Sequence, residues 1–238
     1  METPFIPRAM QTMQEELVIE CLHSRTFRDD KALREELRMI VCHSYKDVSP
    51  LLDGDVERCT NLYLGRMNNS IVCFFLVSHE SLVVNGRRLP VTFLGFSGTS
   101  AESQSTGTIW KIYERAISDV KELERGNGDH IIWYTTATPS AYFAMERIYG
   151  HIYPDREGGL STGAEAIVEA LRLQWYPNAP ATRPCCILRG VAAVRYSEQE
   201  QYRIQQLTAR KKFRLFEQYE LDESNGDRVL VLAQTAGL

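Results

Sequence analysis

Residues 91–120 read VTFLGFSGTSAESQSTGTIWKIYERAISDV, and the character of the chain changes twice within them. Val91 to Phe96 is rich in β-branched and aromatic residues, which predicts a strand. Ser97 to Gly107 is small and polar, which predicts a loop. From there Ile109, Ile112, Tyr113, Ala116, Ile117, Val120 and Leu123 recur at i, i+3, i+4 and i+7, the signature of a long amphipathic helix. Gly126-Asn127-Gly128 tolerates the left-handed backbone that stops it. Ile131 to Tyr134 returns to strand character. A strand–helix–strand unit with a crossover of this length requires parallel strands and a right-handed crossing.

Upstream the signals are those of antiparallel strands. Arg58 to Met67, an Asn68-Asn69 turn, Ile71 to Val77 and Leu82-Val83-Val84 lead to Asn85-Gly86, a strong two-residue hairpin signal, and then to Leu89 through Phe96. Joined to the parallel unit, this meander predicts a mixed sheet in an α/β chain. Before it, Leu17-Val18-Ile19 within Gln14–Ser24 reads as a first strand, with a short helix as the alternative. Asp29 or Asp30 can cap a helix bearing Leu33, Leu37, Ile40 and Val41. Asp47 to Asp55, with Pro50 and Gly54, reads as a loop.

Downstream, a helix from about Pro139 to Tyr149 begins with proline in its first turn. Two capping-box patterns follow. Thr162-Gly163-Ala164-Glu165 opens a helix with Ile167, Ala170, Leu171 and Trp175 on one face, and Ser197-Glu198-Gln199-Glu200 opens a polar helix toward Arg214. The end reads as a hairpin, Leu215–Leu221 and Val229–Leu232, turning at Asn225-Gly226.

Composition narrows the function classes. The chain has 238 residues, 44% hydrophobic and 24% charged, with a formal net charge of −4. That balance excludes a dedicated nucleic-acid binder, which needs clustered Lys and Arg. The basic run Arg210-Lys211-Lys212 with Arg214 reads as a solvated helix face. No apolar run is long enough for a membrane span, and the acidic, proline-bearing Met1–Pro7 start does not read as a secretory signal, so a cytoplasmic location is expected. The cysteines at 21, 42, 59, 73, 185 and 186 lack C-x-x-C spacing and read as reduced, mostly buried thiols without metal. The five histidines show no metal spacing.

The loop feeding the long helix carries the most chemical information. Backbone N–H groups at a helix start lack internal partners and lie at the positive end of its dipole, so they suit a phosphate. Gln104, Ser105, Thr106, Gly107 and Thr108 are small or flexible enough to admit one, although the loop has neither the P-loop lysine nor a G-x-G-x-x-G pattern. An ordinary strand–helix connection reads equally well from composition alone.

With its surroundings, this loop resembles that of the GNAT superfamily of acyl-CoA-dependent N-acyltransferases. There an antiparallel meander leads into a (Gln or Arg)-x-x-Gly-x-(Gly or Ala) loop that cradles the CoA pyrophosphate. Gln104 and Gly107 fit, and Ile109 is bulkier than the pattern. Further on, the family has a helix of the form Asn-x-x-Ala-x-x-x-Tyr; here Ala141 fits, while Thr138 and Met145 depart from it. The likeness spans residues 15 to 155 and the closing hairpin, within one domain over 1–238 that carries a helical insertion at 156–214.

The resemblance implies a GNAT-like fold in which the parallel strands splay to admit the pantetheine arm of acetyl-CoA or another acyl-CoA. It implies acyl transfer to an amine entering from the opposite side. Phe96, Ser97, Gln104, Ser105, Thr106, Gly107, Thr108, Ile109, Thr138, Ala141 and Tyr142 then become the cofactor-binding set. Met145 stands where the family's tyrosine acid would be, and Tyr142 and Tyr149 share its helical face, so one of them becomes the proton donor. Glu80, His79 and Glu102 are the candidate bases. Trp175 and Tyr176, in the insertion, line an acceptor pocket or pack in the core.

Without a peptide-recognition motif or a strongly charged surface, the expected acceptor is a small molecule, and the insertion shapes its pocket or a homodimer contact. Ile109 and Met145 keep two alternatives open: a GNAT-like fold that binds CoA or a partner without transfer, and other CoA-thioester chemistry such as decarboxylation or transfer to a carrier thiol.

Overall fold

The computed structural model describes residues 16–104, 106–124, 130–211 and 215–234. In chain order the elements are β1 (Val18–His23), α1 (Ser24–Phe27), α2 (Lys31–Val41), β2 (Tyr45–Asp47), α3 (Ser49–Arg58), β3 (Asn61–Met67), β4 (Ser70–Val84) and β5 (Arg87–Thr99). There follow α4 (Thr108–Glu124), β6 (Ile131–Thr136), α5 (Pro139–Tyr149), β7 (Ile152–Tyr153), α6 (Thr162–Trp175), β8 (Ile187–Leu188), β9 (Arg195–Tyr196), α7 (Glu198–Lys211), α8 (Leu215–Gln218) and β10 (Arg228–Gln234).

Two asparagine turns set the meander. Asn68 and Asn69 have φ of 50° and 67°, and Asn85 and Gly86 have 49° and 78°. Positive φ at both central residues is the backbone that matches strand twist across a two-residue hairpin. Ile71–Val77 and Leu82–Val84 belong to one strand, β4, paired antiparallel to β3 on one side and β5 on the other. The main sheet runs β1-β3-β4-β5-β6-β10-β7, with β8 also on β10. Among the described residues only β5 and β6 are parallel within it, joined by the expected crossover α4. The class is therefore mixed α/β with a mixed sheet. Side-chain alternation on β6 sends Trp133 toward α6, where it stacks on Trp175 at 5.8 Å between centroids, and sends Tyr134 to the other face.

Several segments differ from the sequence-based expectation. Residues 47–55 belong largely to helix α3: Pro50 sits in its first turn, where a missing N–H costs nothing, and Leu52 and Val56 are buried. Gly54 is tolerated because that packing outweighs its propensity cost of ~1 kcal/mol. The cap of α6 is Ser161, whose hydroxyl accepts the Ala164 N–H, and not Thr162. Among the described residues the C-terminal hairpin does not form. Leu215–Gln218 is helical, with Leu215 buried and Glu217 exposed, and the Asp222 carboxylate draws in the N–H groups of Ser224 and Asn225 to form a short 3-10 turn ending at Gly226, φ 90°. β10 instead inserts between β6 and β7. Local Asx hydrogen bonding competes successfully with strand pairing there.

Among the cysteines, Cys59, Cys73 and Cys186 are buried, while Cys21 and Cys42 are exposed. Gln14, the Gly126–Gly128 stop, Lys212 and Arg214 lie outside the described residues. No helix among the described residues is long and apolar enough to cross a membrane.

Candidate active site

The parallel pairing of β5 with β6 extends from Val91 opposite Ile131 to Leu94 opposite Tyr134, and no further. Both strands continue beyond it, unpaired with each other. On its other edge β5 carries an extra residue: Phe75 to Val77 of β4 is opposed by Ser97 to Leu94. Such a bulge bends a strand and leaves a backbone group without its ladder partner. Here Asp55 of α3 supplies the replacement, its Oδ2 accepting the Phe96 N–H at 2.7 Å. Gly95 makes the approach possible, because a Cβ there would lie 3.0 Å from Cys59 Sγ and 3.1 Å from Asp55 Oδ2.

The divergence opens a cavity of about 130 Å³ whose walls include Asp55, Phe93 to Ser97, Tyr134 to Thr138 and Arg228. It continues past Ser97, Tyr113, Thr138 and Ala141 to an outer cleft bounded by Gln104, Gly107, Ile109 and, on α7, Glu200 and Arg203. Gly107 has φ 84°, and a Cβ at that position would meet open space. The start of α4 thus presents uncovered backbone to the cleft, as a cradled phosphate requires. The loop before it is held by Gln104, whose amide nitrogen is 2.6 Å from His43 Nε2 and 3.2 Å from Ser44 Oγ, and by Thr106, whose hydroxyl donates to the Ser103 carbonyl at 2.8 Å.

The inner cavity is electrostatically unusual. Burial pushes the Asp55 carboxyl up to about 6, the nearby Arg58 and the Phe96 N–H opposing it only in part. Tyr134 forms part of the wall, and its buried hydroxyl has no hydrogen-bond partner among the described residues. Burial holds its pKa well above the ordinary phenol value. The Ser97 hydroxyl, by contrast, is engaged with Tyr113 Oη at 2.6 Å.

The residues expected from sequence divide into those the fold gathers and those it separates. Phe96, Ser97, Thr138 and Ala141 line the inner cavity, and Gln104, Gly107 and Ile109 the outer cleft. Thr106 and Thr108 border a different surface depression together with the exposed Glu102. Ser105 lies outside the described residues. Tyr142 is fully buried and donates its hydroxyl to the Pro154 carbonyl at 2.8 Å, so it faces away from the cavity. Tyr149, one turn past Met145, is half-buried and absent from the cavity wall. Met145 itself reaches the wall.

Of the candidate bases, Glu80 accepts from Ser78 Oγ at 2.8 Å outside the cavity, and burial raises its carboxyl. His79 Nδ1 sits 3.0 Å from Thr92 Oγ1, which is 2.8 Å from His130 Nε2; burial lowers the pKa of both imidazoles, that of His130 to about 4. Trp175 and Tyr176 do not line the cavity. They box the Arg58 guanidinium with Phe93, at 5.8, 5.1 and 5.0 Å from the ring centroids, and Arg58 Nη1 donates to Tyr176 Oη.

Sequence reasoning passed over Asp55, Tyr134 and Arg228. Asp55 sits in the segment read as loop. Arg228 had one visible signal, a charge immediately before an unbroken apolar run that the fold buries on both faces.

No family model and no curated protein sequence matches the chain. Solved structures do. The chain is similar to the ribosomal-protein-S18-alanine N-acetyltransferase of Escherichia coli, at 12% identity and TM-score 0.44, covering 93% of this chain and 97% of that one. It is also similar to a GNAT-family acetyltransferase of Brucella melitensis in complex with acetyl-CoA, at 10% identity and TM-score 0.38, over 50% of this chain and 75% of the other. A third, from Enterococcus faecalis, is described as a probable N-acyltransferase, with 11% identity, TM-score 0.41 and coverage of 57%. The match spans 32% of that longer chain. Among the described residues no cluster of three or more His, Cys, Asp or Glu is arranged to hold a metal.

Proposed function

We propose that the chain is an acyl-CoA-dependent N-acyltransferase, with acetyl-CoA as donor and a small-molecule amine as acceptor. The observation that carries this reading is the gap between β5 and β6, continuous from the open backbone at Gly107 to the buried carboxylate of Asp55. A thioester on a long, narrow arm fits such a passage. The uncovered start of α4 and the Tyr134 hydroxyl, which has no partner among the described residues, are the features that suit the donor at its two ends.

In this reading Gly107, Gln104 and Ile109, with Arg203 at the same mouth, hold the nucleotide end. Ser97, Thr138 and Ala141 flank the passage for the arm. Acyl-CoA supplies the activated thioester. Asp55 takes the proton that the ammonium must lose before its nitrogen can attack, and the Tyr134 hydroxyl gives a proton to the departing thiolate. The new N–C bond forms as the C–S bond breaks. Much of the rate comes from placing the two reactants together, which supplies up to ~7–11 kcal/mol. Residues 156–214 are the insertion within a single domain; through Tyr196 of β9 and Arg203 of α7 they close the cleft.

The test is thiol release from acetyl-CoA with a panel of amines, alongside calorimetry with CoA. Turnover with at least one amine supports the reading. CoA binding without turnover on any amine would leave a binding protein or another thioester chemistry, and absence of CoA binding would end the assignment.

A further inference from the structure

Among the described residues two charged side chains line the inner cavity, Asp55 and Arg228, only 5% and 4% exposed. They come from distant parts of the chain, α3 and the start of β10. They are near enough to influence each other electrostatically, yet neither forms an ion pair with the other or with any other described residue. Asp55 uses one oxygen on the Phe96 N–H, and its other oxygen accepts no hydrogen bond from the described residues. Arg228 spends Nε and Nη2 on a single acceptor, the Ala192 carbonyl, at 3.3 and 2.9 Å, and its Nη1 has no described partner. Glu223 is the other carboxylate in the field of Arg228, but it is not part of the cavity wall and makes no ion pair with it.

Buried charges are retained where something pairs them. An unpaired anion and an unpaired cation on one small cavity, separated by more than ion-pair distance, form the complement of a zwitterion. We infer that the acceptor is a small free amino acid, its ammonium at Asp55 and its carboxylate at Arg228. The inference rests on the acyl-transfer reading above and adds the class of acceptor. The size of the cavity, about 130 Å³, is close to that of an engineered cavity of about 150 Å³ that holds benzene, so short side chains fit and long ones do not. Phe93 and Phe96 contribute apolar wall to the same cavity. An amino acid also satisfies the chemistry at both ends: Asp55 pairs with the nitrogen that must be deprotonated, and the open Nη1 of the guanidinium gives a charge-assisted hydrogen bond to a carboxylate that a simple amine lacks.

The experiment compares acetyl transfer to glycine, β-alanine and γ-aminobutyrate with transfer to methylamine, ethylamine and propylamine, using the full chain and acetyl-CoA. The expected result is at least a tenfold preference in kcat/KM for one amino acid over its matched amine, collapsing at least tenfold in Arg228→Gln. Arg228→Lys keeps a cation and a donor for the Ala192 carbonyl, so a preference partly retained there separates charge recognition from a folding defect. Amines acetylated with no preference for a carboxylate, or a preference unchanged in Arg228→Gln, overturn the inference while leaving acyl transfer standing. A preference for succinyl-CoA over acetyl-CoA that disappears in Arg228→Gln assigns the guanidinium to the acyl group and also overturns it. If no amine is acylated, the acyltransferase reading fails by itself, and calorimetry with the amino acids alone decides this one: binding weakened in Arg228→Gln sustains a zwitterion site, and no binding removes it.

Discussion

Asp55 Oδ2 accepts the Phe96 backbone N–H at 2.7 Å, across a sequence separation of 41 residues. The carboxylate does two jobs at once: it satisfies the backbone donor freed by the β5 bulge, and it places a negative charge on the cavity wall. The two are separable by mutation. Asp55→Ala orphans the buried N–H and is expected to cost ~1–3 kcal/mol of stability. Asp55→Asn keeps an acceptor for it, so unfolding in urea should shift much less, while kcat with the best amine falls roughly 10²–10⁴-fold. Equal loss of stability in both variants with little loss of rate would leave Asp55 a purely structural group.

The pH dependence has opposite signs for rate and stability. Burial raises the Asp55 carboxyl from 3.8 to about 6, and only the ionised form accepts a proton, so kcat/KM should climb as pH rises through about 6. The unfolded chain releases this proton near 4, so between those values the folded state binds more protons, and Asp55's contribution to stability declines as pH rises across the window. Glu223, raised to about 7 mainly by burial, titrates close by; a rate profile that persists in Glu223→Gln assigns the inflection to Asp55, and one that moves with that variant does not.

Two tyrosines give a contrast. Tyr142→Phe removes the hydrogen bond to Pro154 O and should lower stability by ~0.5–1.5 kcal/mol while kcat stays near wild type. Tyr134→Phe removes a hydroxyl that has no described partner, so stability should hold while kcat drops. The reverse pattern would restore the sequence-based choice of Tyr142 as acid.

Glycines at 107 and 98 should fail differently. Gly107→Val forces a β-branched residue to φ 84° and projects into open cleft, so CoA affinity measured by calorimetry should fall more than tenfold with the sheet intact. Gly98→Ala instead drives a Cβ into Val41 Cγ1 and to 2.6 Å from Phe74 Cε1, an overpacking expected to cost ~1–3 kcal/mol in chemical denaturation. Undiminished CoA binding in Gly107→Val would place the pyrophosphate elsewhere.

Local signals decided much of the fold. Paired asparagines, an Asn-Gly turn, the periodicity of α4 and the proline opening α5 act within a few residues of themselves, and the chain obeys them. Gln104 and Gly107, singled out in one short loop, both border the outer cleft. Sequence reading failed where local preference lost to packing or to competing side-chain bonds, as at α3 and the Asp222 turn. The chemistry of the inner cavity was beyond its reach. Asp55, Tyr134 and Arg228 meet because α3 docks against a bulge in β5 and β10 inserts beside β6, and those contacts join residues tens to more than a hundred positions apart. No single stretch of sequence holds the reason a carboxylate there is buried, without an ion pair and raised above the ordinary carboxylate range; burial is a property of the assembled sheet and helices.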